Sequence, residues 1–214
     1  MRKLICGRMP YLMIALCAVL AAGCSDDGVD SDEEARRAYL GLDDSIAKSI
    51  TLGFQGFNLA SSANIDPQTT NAIVGGTITV SGQVDQGSSD NKGMRLYVGM
   101  VDYDDGDIVV NEDGDTIRVI YNTDTAATSQ PYLAMQLKSI PTGTLEGSLT
   151  SNSSMTGVYR LSGDIAGTLA LDLTIAGTLM AGPNDTVLRV PGTTTVTGTA
   201  TNQDGGVYNI DLTL

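Results

Sequence analysis

Apolar residues recur at helical spacing in the first long periodic segment of the chain. They lie three, four or seven positions apart: Ala35, Tyr39, Leu42, Ile46, Ile50 and Phe57. This spacing predicts an amphipathic helix from about residue 32 to the high fifties, with its apolar stripe in the core. Ser31 and Glu34 have the spacing of a capping box at its start, and the segment from Asn64 to Pro67 is expected to end it. A coiled-coil or partner-binding helix is the alternative interpretation.

A second row of small residues follows the same helix at every fourth position: Gly41, Ser45, Ser49 and Gly53. Positions four apart share one helix face, and small side chains let a neighbour approach closely. We therefore expect this row to receive a strand. Asp44 and Lys48 are also four residues apart, and they are predicted to pair on the solvent side of the helix.

After Pro67 the apolar positions change to a period of two, which is typical of strands with one wet face. The alternation is clearest between Tyr159 and Leu179, and a last apolar run ends at Leu214. Short loops connect these runs, and Asp-Gly-Gly at 204–206 is a hairpin signal. Because short loops pair sequential neighbours, the pattern predicts an antiparallel meander of about eight to ten strands.

Glycines recur inside the predicted strands, where they mark bends, bulges or close backbone approach. They are Gly76, Gly82, Gly99, Gly147, Gly163, Gly167, Gly177 and Gly198. A flat sheet does not need so many glycines, whereas a strongly curved sheet does. The predicted fold class is therefore mainly β with one N-terminal α-helix, in which a curved or barrel-like antiparallel sheet packs on the helix. A plain two-sheet sandwich is the alternative.

The N-terminal segment has a different pattern. Residues 1–10 carry three basic side chains and no acidic one, and residues 11–22 are almost wholly apolar. This order is typical of a secretory signal peptide. Its apolar core of about 12 residues is shorter than the roughly 20 that a helix needs to span a bilayer. A retained membrane-spanning anchor is therefore the less favoured interpretation.

Small residues and a cysteine close this apolar run as Ala21-Ala22-Gly23-Cys24, and Ser25 follows. The stretch resembles the lipobox of bacterial lipoproteins, with Ala21 where leucine is most frequent in that family. The resemblance implies cleavage between Gly23 and Cys24, a diacylglyceryl group on the Cys24 sulfur, and an N-terminus acylated with a fatty acid such as palmitate. Ser25, rather than Asp, implies export to the outer membrane of a Gram-negative cell. An ordinary signal followed by a free thiol is the alternative.

The expected domains are a signal peptide over residues 1–23, a lipidated cysteine with a short acidic tether over 24–31, and a single helix-plus-antiparallel-β domain over 32–214. Removing the signal leaves 191 residues, enough for one domain with a sizeable core. The remaining chain has 9 lysines and arginines and 25 acidic residues, which gives a net charge of −16. Such a surface repels nucleic acid. The expected partner is the membrane, through the N-terminal lipid.

Composition also excludes several kinds of reactive site. The chain has no histidine and no tryptophan, and Cys24 is the last of its three cysteines, the other two lying in the signal. No disulfide, thiolate nucleophile or histidine/cysteine metal site is therefore expected in the mature chain. Without a histidine for proton transfer or a glycine-rich phosphate loop, the sequence predicts no enzymatic activity and implies no cofactor.

Two acid-rich segments look like calcium loops at first sight. Their candidate ligands are Asp104, Asp105, Asp107, Asp113 and Asp115. When the glycine at 106 or 114 is placed at position 6 of an EF-hand loop, position 1 is a valine, so the pattern fails. Asp-Gly pairs between apolar runs favour turns. A weak divalent ion shared by the two segments is the alternative.

Threonines of one strand parity form a row near the end of the chain: Thr193, Thr195, Thr197, Thr199 and Thr201. Threonine is a good β former, so a solvent-facing strand is the favoured interpretation. A ladder that binds a repetitive surface such as ice or a glycan lattice is the alternative.

These observations lead to two hypotheses of function. The first is a non-enzymatic, lipid-anchored protein of the cell envelope whose β domain serves structure or interaction. The second is a carrier that holds a lipid or other hydrophobic ligand between sheet and helix. Envelope lipid carriers use half-barrels with a helix in the mouth, a likeness of fold alone. Filled inward positions favour the first hypothesis: Leu171, Leu173, Ile210, Leu212, Ile46 and Ile50. An apolar cavity of roughly several hundred Å³ favours the second.

Overall fold

One long helix, α1 (Asp32–Leu59), precedes thirteen β-strands in the residues that the computed structural model describes, which are 28–150, 159–183 and 186–214. The strands are β1 (Asn64–Asn71), β2 (Gly75–Val84), β3 (Lys92–Asp104), β4 (Ile108–Val109), β5 (Thr116–Ile117), β6 (Val119–Asn122), β7 (Tyr132–Lys138), β8 (Gly143–Thr150), β9 (Tyr159–Gly163), β10 (Gly167–Ala181), β11 (Val187–Arg189), β12 (Thr195–Asn202) and β13 (Val207–Thr213). The predicted class, mainly antiparallel β with one N-terminal helix, is confirmed.

The helix begins and ends within the predicted limits. The Ser31 hydroxyl accepts a hydrogen bond from the Glu34 N–H at 3.2 Å, which satisfies one of the free donors of the first turn. The Glu34 carboxylate accepts from the Asp30 N–H at 2.8 Å, so the capping box closes one residue earlier than its usual form. Three acidic residues in this first turn complement the positive end of the helix dipole.

The segment expected to stop the helix is instead part of a strand. Helix α1 ends at Leu59, and residues from Asn64 to Pro67 belong to β1, which lies at one end of the strand order. Pro67 falls where the β1–β2 register shifts, between Ile65 and Gln68. Proline has no N–H to give to the ladder, and it is tolerated there because the register shift leaves Pro67 without a partner on β2.

The sheet is antiparallel, but its order is not the predicted simple meander. Strands follow the path β1-β2-β3-β6-β9-β10-β12-β13, and β7 with β8 forms a second connection between β3 and β10. The strands β3, β7, β8, β10, β9 and β6 therefore close a ring of six. Long strands explain the branching, because β3 and β10 have 13 and 15 residues and each pairs with two partners along one edge.

The strand count also exceeds the predicted eight to ten. The additional strands are short or polar, such as the two-residue pair β4 and β5 and the exposed β1. Such segments have too little alternation to be read as strands. All strands except this short pair belong to one 11-stranded sheet, so the two-sheet sandwich does not form.

Helix α1 packs on the sheet, as predicted. It contacts β1 and β2 at one end of the strand order and β13 at the other, and it also contacts β3, β6 and β11. The whole small-residue row of the helix is buried. Tyr121 of β6 lies against Gly41, and Met94 and Leu96 of β3 lie against Gly53. The row thus receives strand side chains rather than a strand backbone.

Two of the strand glycines lie where the backbone of a neighbouring strand approaches closely. Gly82 and Gly198 have φ angles of 144° and 149°, in the region that side-chain-bearing residues rarely adopt. A Cβ atom would lie 2.1 Å from the Arg95 carbonyl oxygen at Gly82 and 2.1 Å from the Asp172 carbonyl oxygen at Gly198. Glycine is therefore required at both close approaches, as the sequence indicated.

Candidate functional site

The start of the described chain is held against the domain. Val29 is 4% exposed, and its carbonyl oxygen accepts a hydrogen bond from Asn202 Nδ2 at 2.9 Å. The Asp32 carboxylate accepts from the Asn209 N–H of β13 at 2.7 Å. Cys24 and Gly23, the predicted lipidation and cleavage positions, lie outside the described residues. The last residues of the predicted tether are thus packed on the domain.

The part of the chain that the structure describes contains no helix that is both long and apolar enough to cross a bilayer.

The first acid-rich segment is occupied by cations of the protein itself. Asp104, which is 5% exposed, accepts from Arg118 Nη2 at 2.6 Å and from the Gly106 N–H at 2.9 Å. The hydrogen bonds from the Arg118 guanidinium lower the pKa of the Asp104 carboxyl below its usual value. This carboxylate is fixed in a salt bridge, so it is not available as a ligand for an external ion.

Its neighbour Asp105 is held in a second cluster. Lys48 Nζ donates to both Asp105 carboxylate oxygens, at 2.5 and 2.8 Å, and the Tyr103 hydroxyl donates to the same carboxylate. Burial, together with the hydrogen bond to Asp105, raises the pKa of Tyr103. Lys48 therefore pairs with Asp105, and the predicted solvent-side pair with Asp44 is wrong. The reason is that Asp105 has a side chain only 3% exposed and needs a cation.

The other acidic candidates are exposed. Asp107 lies between β3 and β4, while Asp113 and Asp115 lie in the β4–β5 hairpin loop. That loop is closed by Asn111, whose Oδ1 accepts from the Asp115 N–H at 3.0 Å and whose Nδ2 donates to the Asp115 carboxylate at 2.8 Å. Across residues 28–150, 159–183 and 186–214, no group of three or more acidic, histidine or cysteine side chains is arranged to hold a metal ion.

A third charged cluster connects the helix to β11. Arg189 donates to both carboxylate oxygens of Asp43, at 2.9 and 2.6 Å, and Tyr39 donates to the same carboxylate at 2.8 Å. Arg189 and Asp43 have side chains 11% and 16% exposed. Burial, followed by the nearby negative charge of Asp43, raises the pKa of Tyr39. No local sequence pattern predicts this pair, because its members lie 146 positions apart.

The inward positions of the sheet are filled. Five of the six residues named as the test of a packed interior are no more than 2% exposed, and the sixth, Leu212, is partly buried. Tyrosines are among the largest fully buried side chains of the core. Tyr121 and Tyr159 pack edge to face with ring centroids 6.4 Å apart, and the Tyr121 hydroxyl donates to the Ala38 carbonyl oxygen at 2.6 Å. Burial raises the pKa of both tyrosines, which therefore stay neutral.

Two open grooves run beside the helix. One, of about 390 Å³, lies between the helix and β1, and the other, of about 360 Å³, lies towards Leu214. Ala47 and Leu188 line both grooves. The basic side chains at their walls, Lys48 and Arg189, are already paired with Asp105 and Asp43.

The outer face of the sheet carries a row of threonines and a pair of tyrosines. The threonines of β12 face outward, whereas Thr194, Val196 and Ala200 of the opposite parity are buried. On the same outer face Tyr97 of β3 stands opposite Tyr132 of β7, and the two ring centroids are 5.2 Å apart. The Tyr97–Tyr132 pair was not predicted from the sequence. Its signal was an aromatic residue at the polar parity of two separate strands.

Neither protein-family models nor curated proteins nor solved structures provide a match to this chain.

Proposed function

We propose that the chain is a lipid-anchored protein of the bacterial cell envelope whose β domain is a non-enzymatic scaffold for structure or interaction. The lipobox-like stretch ending at Cys24 supports the anchor, and its Ser25 supports the outer membrane of a Gram-negative cell as the location. The packing of the inward positions is the observation that carries the scaffold role.

The state of the carboxylates supports a non-enzymatic role. General acid–base catalysis needs a titrating group that is close to its substrate and not held in a permanent salt bridge. The buried carboxylate of Asp104 and the partly buried carboxylates of Asp43 and Asp105 are each bound by a cation of the same chain. Their partners orient them towards the protein, so they join elements of the fold.

A carrier of a lipid or other hydrophobic ligand is the second candidate. The two grooves beside the helix favour it, because they border Leu188, Ala47 and Leu52. Carrier sites bury most of the ligand surface in a concave, largely apolar space. The grooves are open to solvent and the inward positions of the sheet are occupied, so the scaffold is the better supported role.

The anchor is tested by fractionating cells that produce the protein or its Cys24→Ser variant. The intact protein is expected in the membrane fraction, with the acyl-chain mass on its first residue, and the variant is expected to be soluble or uncleaved. An unmodified Cys24 thiol in the native protein would refute the anchor.

The scaffold and carrier roles are separated by native mass spectrometry of protein purified from its own cells. We expect the covalent lipid mass and no further bound lipid. A stoichiometric non-covalent lipid, lost on substitution of Ala47 by a bulky residue such as Phe, would establish the carrier role instead.

A further inference from the structure

The Tyr97–Tyr132 pair has the geometry of an open aromatic platform. The two residues are directly opposed in the β3–β7 register, and their rings are tilted by 51° to each other. Both residues are half-buried, so part of each ring faces solvent. Among the described residues, neither hydroxyl group makes a hydrogen bond within the protein.

Small residues stand beside the platform on the two neighbouring strands. Ser81 stands opposite Tyr97 on β2, and Thr150 stands opposite Tyr132 on β8. Beyond Tyr97, the Gln130 side chain lies against Gly99 of β3. The rings are accessible from the side of Ser81, where both tyrosines line an open groove.

One side of the platform is an open groove of about 440 Å³ with planar polar side chains at its border. Gln83 Nε2 donates to Asn64 Oδ1 at 2.7 Å, and Arg95 Nη2 donates to Asp85 Oδ1 at 2.8 Å. Asn64, Gln83 and Arg95 line the groove, and each has further donors or acceptors beyond the bond that orients it. Aromatic faces beside oriented amide and guanidinium groups provide both stacking and hydrogen bonding.

We propose that this groove binds a neutral oligosaccharide. A pyranose ring has an apolar face of C–H groups that stacks on an aromatic face, and equatorial hydroxyl or acetamido groups at its rim that pair with amide and guanidinium groups. An open groove accommodates a chain of sugars that continues on both sides. The strongly acidic protein repels anionic polymers, and Arg95 is already neutralised by Asp85, so a neutral glycan is selected over an anionic one.

A purely structural role makes different predictions from a sugar site. Cross-strand aromatic pairs stabilise antiparallel sheets, and that contribution requires no ligand. The proposal does not depend on the lipid anchor, since the groove is built from residues of the β domain alone.

The test is isothermal titration of the intact protein, held in a zwitterionic detergent that carries no sugar headgroup. The probes are the β-1,4-linked tetramers of N-acetylglucosamine and of glucose, with an oligomer of galacturonic acid as the anionic comparison. We expect one neutral tetramer to bind and the anionic oligomer to bind at least tenfold more weakly. Absence of binding by both neutral tetramers at millimolar concentration would overturn the proposal, as would tighter binding of the anionic oligomer.

Variants locate the binding on the sheet. Tyr97→Ala and Tyr132→Ala are expected to weaken binding at least tenfold, whereas Tyr97→Phe, which retains the ring, is expected to stay within about threefold of the intact protein. Thr197→Ala, on the same outer face but in β12, is the matched control and is expected to have no effect. The Phe variant also guards against loss of folding in the Ala variants. Binding that survives both Ala substitutions would place the sugar elsewhere and refute the site.

Discussion

Gly41 gives the Tyr121 ring its place against the helix. A Cβ atom at this position would lie 2.2 Å from the Tyr121 hydroxyl oxygen, which donates to the Ala38 carbonyl oxygen at 2.6 Å. The phenol group of Tyr121 thus fills the space that a side chain at position 41 would occupy. Gly53 likewise leaves space for a strand side chain, but there the nearest atom belongs to the flexible Met94 side chain, 2.9 Å from the Cβ position.

Gly41→Ala is therefore expected to destabilise the protein, although alanine favours helices by about 1 kcal/mol over glycine. The clash forces the Tyr121 ring to move and weakens its hydrogen bond. We expect a net loss of about 1–3 kcal/mol, measured as a lower midpoint in urea or thermal unfolding. Gly53→Ala is the matched control and should change stability much less, because Met94 can repack. Equal losses in the two variants would contradict the assignment of the effect to Tyr121.

The double variant Gly41→Ala/Tyr121→Phe separates the clash from other effects of the substitution. Removing the phenol oxygen removes the atom nearest to the new Cβ. We therefore expect the double variant to lose less stability than the sum of the two single variants. Strict additivity of the two losses would show that the contact is not the cause.

The Asp104–Arg118 salt bridge makes stability depend on pH. Because hydrogen bonds from Arg118 lower the pKa of Asp104 in the folded protein, the unfolded chain takes up this proton at higher pH than the folded one. The pair thus stabilises the fold fully above the ordinary carboxyl pKa of about 3.9. This contribution is lost as the pH falls through the lower pKa of the folded state.

Asp104→Asn is consequently expected to lower the melting temperature at pH 7, and the difference from the unchanged protein should shrink as the pH falls below about 4. Thermal melts at pH 7, 5, 4 and 3 measure it. Asp113→Asn is the control, because Asp113 is exposed in the β4–β5 loop and should give a small difference at every pH. A difference that stays constant down to pH 3 would refute the linkage.

At the scale of elements, the N-terminus of α1 is fixed by its cap before any tertiary contact is considered. Ser31→Ala removes the acceptor of the Glu34 N–H and is expected to cost about 1 kcal/mol. Denaturant unfolding measures the loss. Ser61→Ala, in the exposed connection between α1 and β1, is the control and should be close to neutral. A loss no larger than that of the control would mean that packing of Val29 and Asp32, rather than the cap, holds this end.

The elements differ in how far their sequences predict them. The helix was predictable because cap, apolar stripe and small-residue row all agree over one continuous segment. Single strands were predictable from alternation, but their partners were not. Alternation does not show that β3 pairs with both β6 and β7, or that β10 has four neighbours, because strand length and register decide these pairings.

The charged clusters were less predictable still. Local spacing suggested that Lys48 pairs with Asp44, yet its partner Asp105 lies 57 positions away. Desolvation explains the preference, since a buried carboxylate without a cation is far more costly than an exposed one without a partner. Similarly, Tyr97 and Tyr132 become a platform only when the register opposes them. Such sites come from long-range pairing, which a sequence pattern does not contain.

At the scale of the whole molecule, the position of Val29 gives the proposed anchor a direction. Four steps of chain separate Cys24 from Gly28, and a fully extended chain covers about 14 Å in four residues. The helix then runs for 28 residues, about 42 Å, away from this point. Gln203 and Asp204 line the same surface groove as Val29, whereas Leu59, 80% exposed, lies at the other end of the helix. If Cys24 is lipidated, the Gln203 end of the domain faces the bilayer.

This orientation is measurable because a chain cleaved and lipidated at Cys24 would have no free thiol. Gln203→Cys and Leu59→Cys are each labelled with a fluorophore on the lipidated protein in vesicles that carry a spin-labelled headgroup. We expect the spin label to quench the fluorophore at position 203 at least about threefold more strongly than the one at 59, since only the first lies within reach of the short tether. The same labels on the protein in detergent, without spin-labelled lipid, give the reference signal. Equal quenching at the two positions would mean that the docked N-terminus does not orient the domain, even if the anchor itself is present.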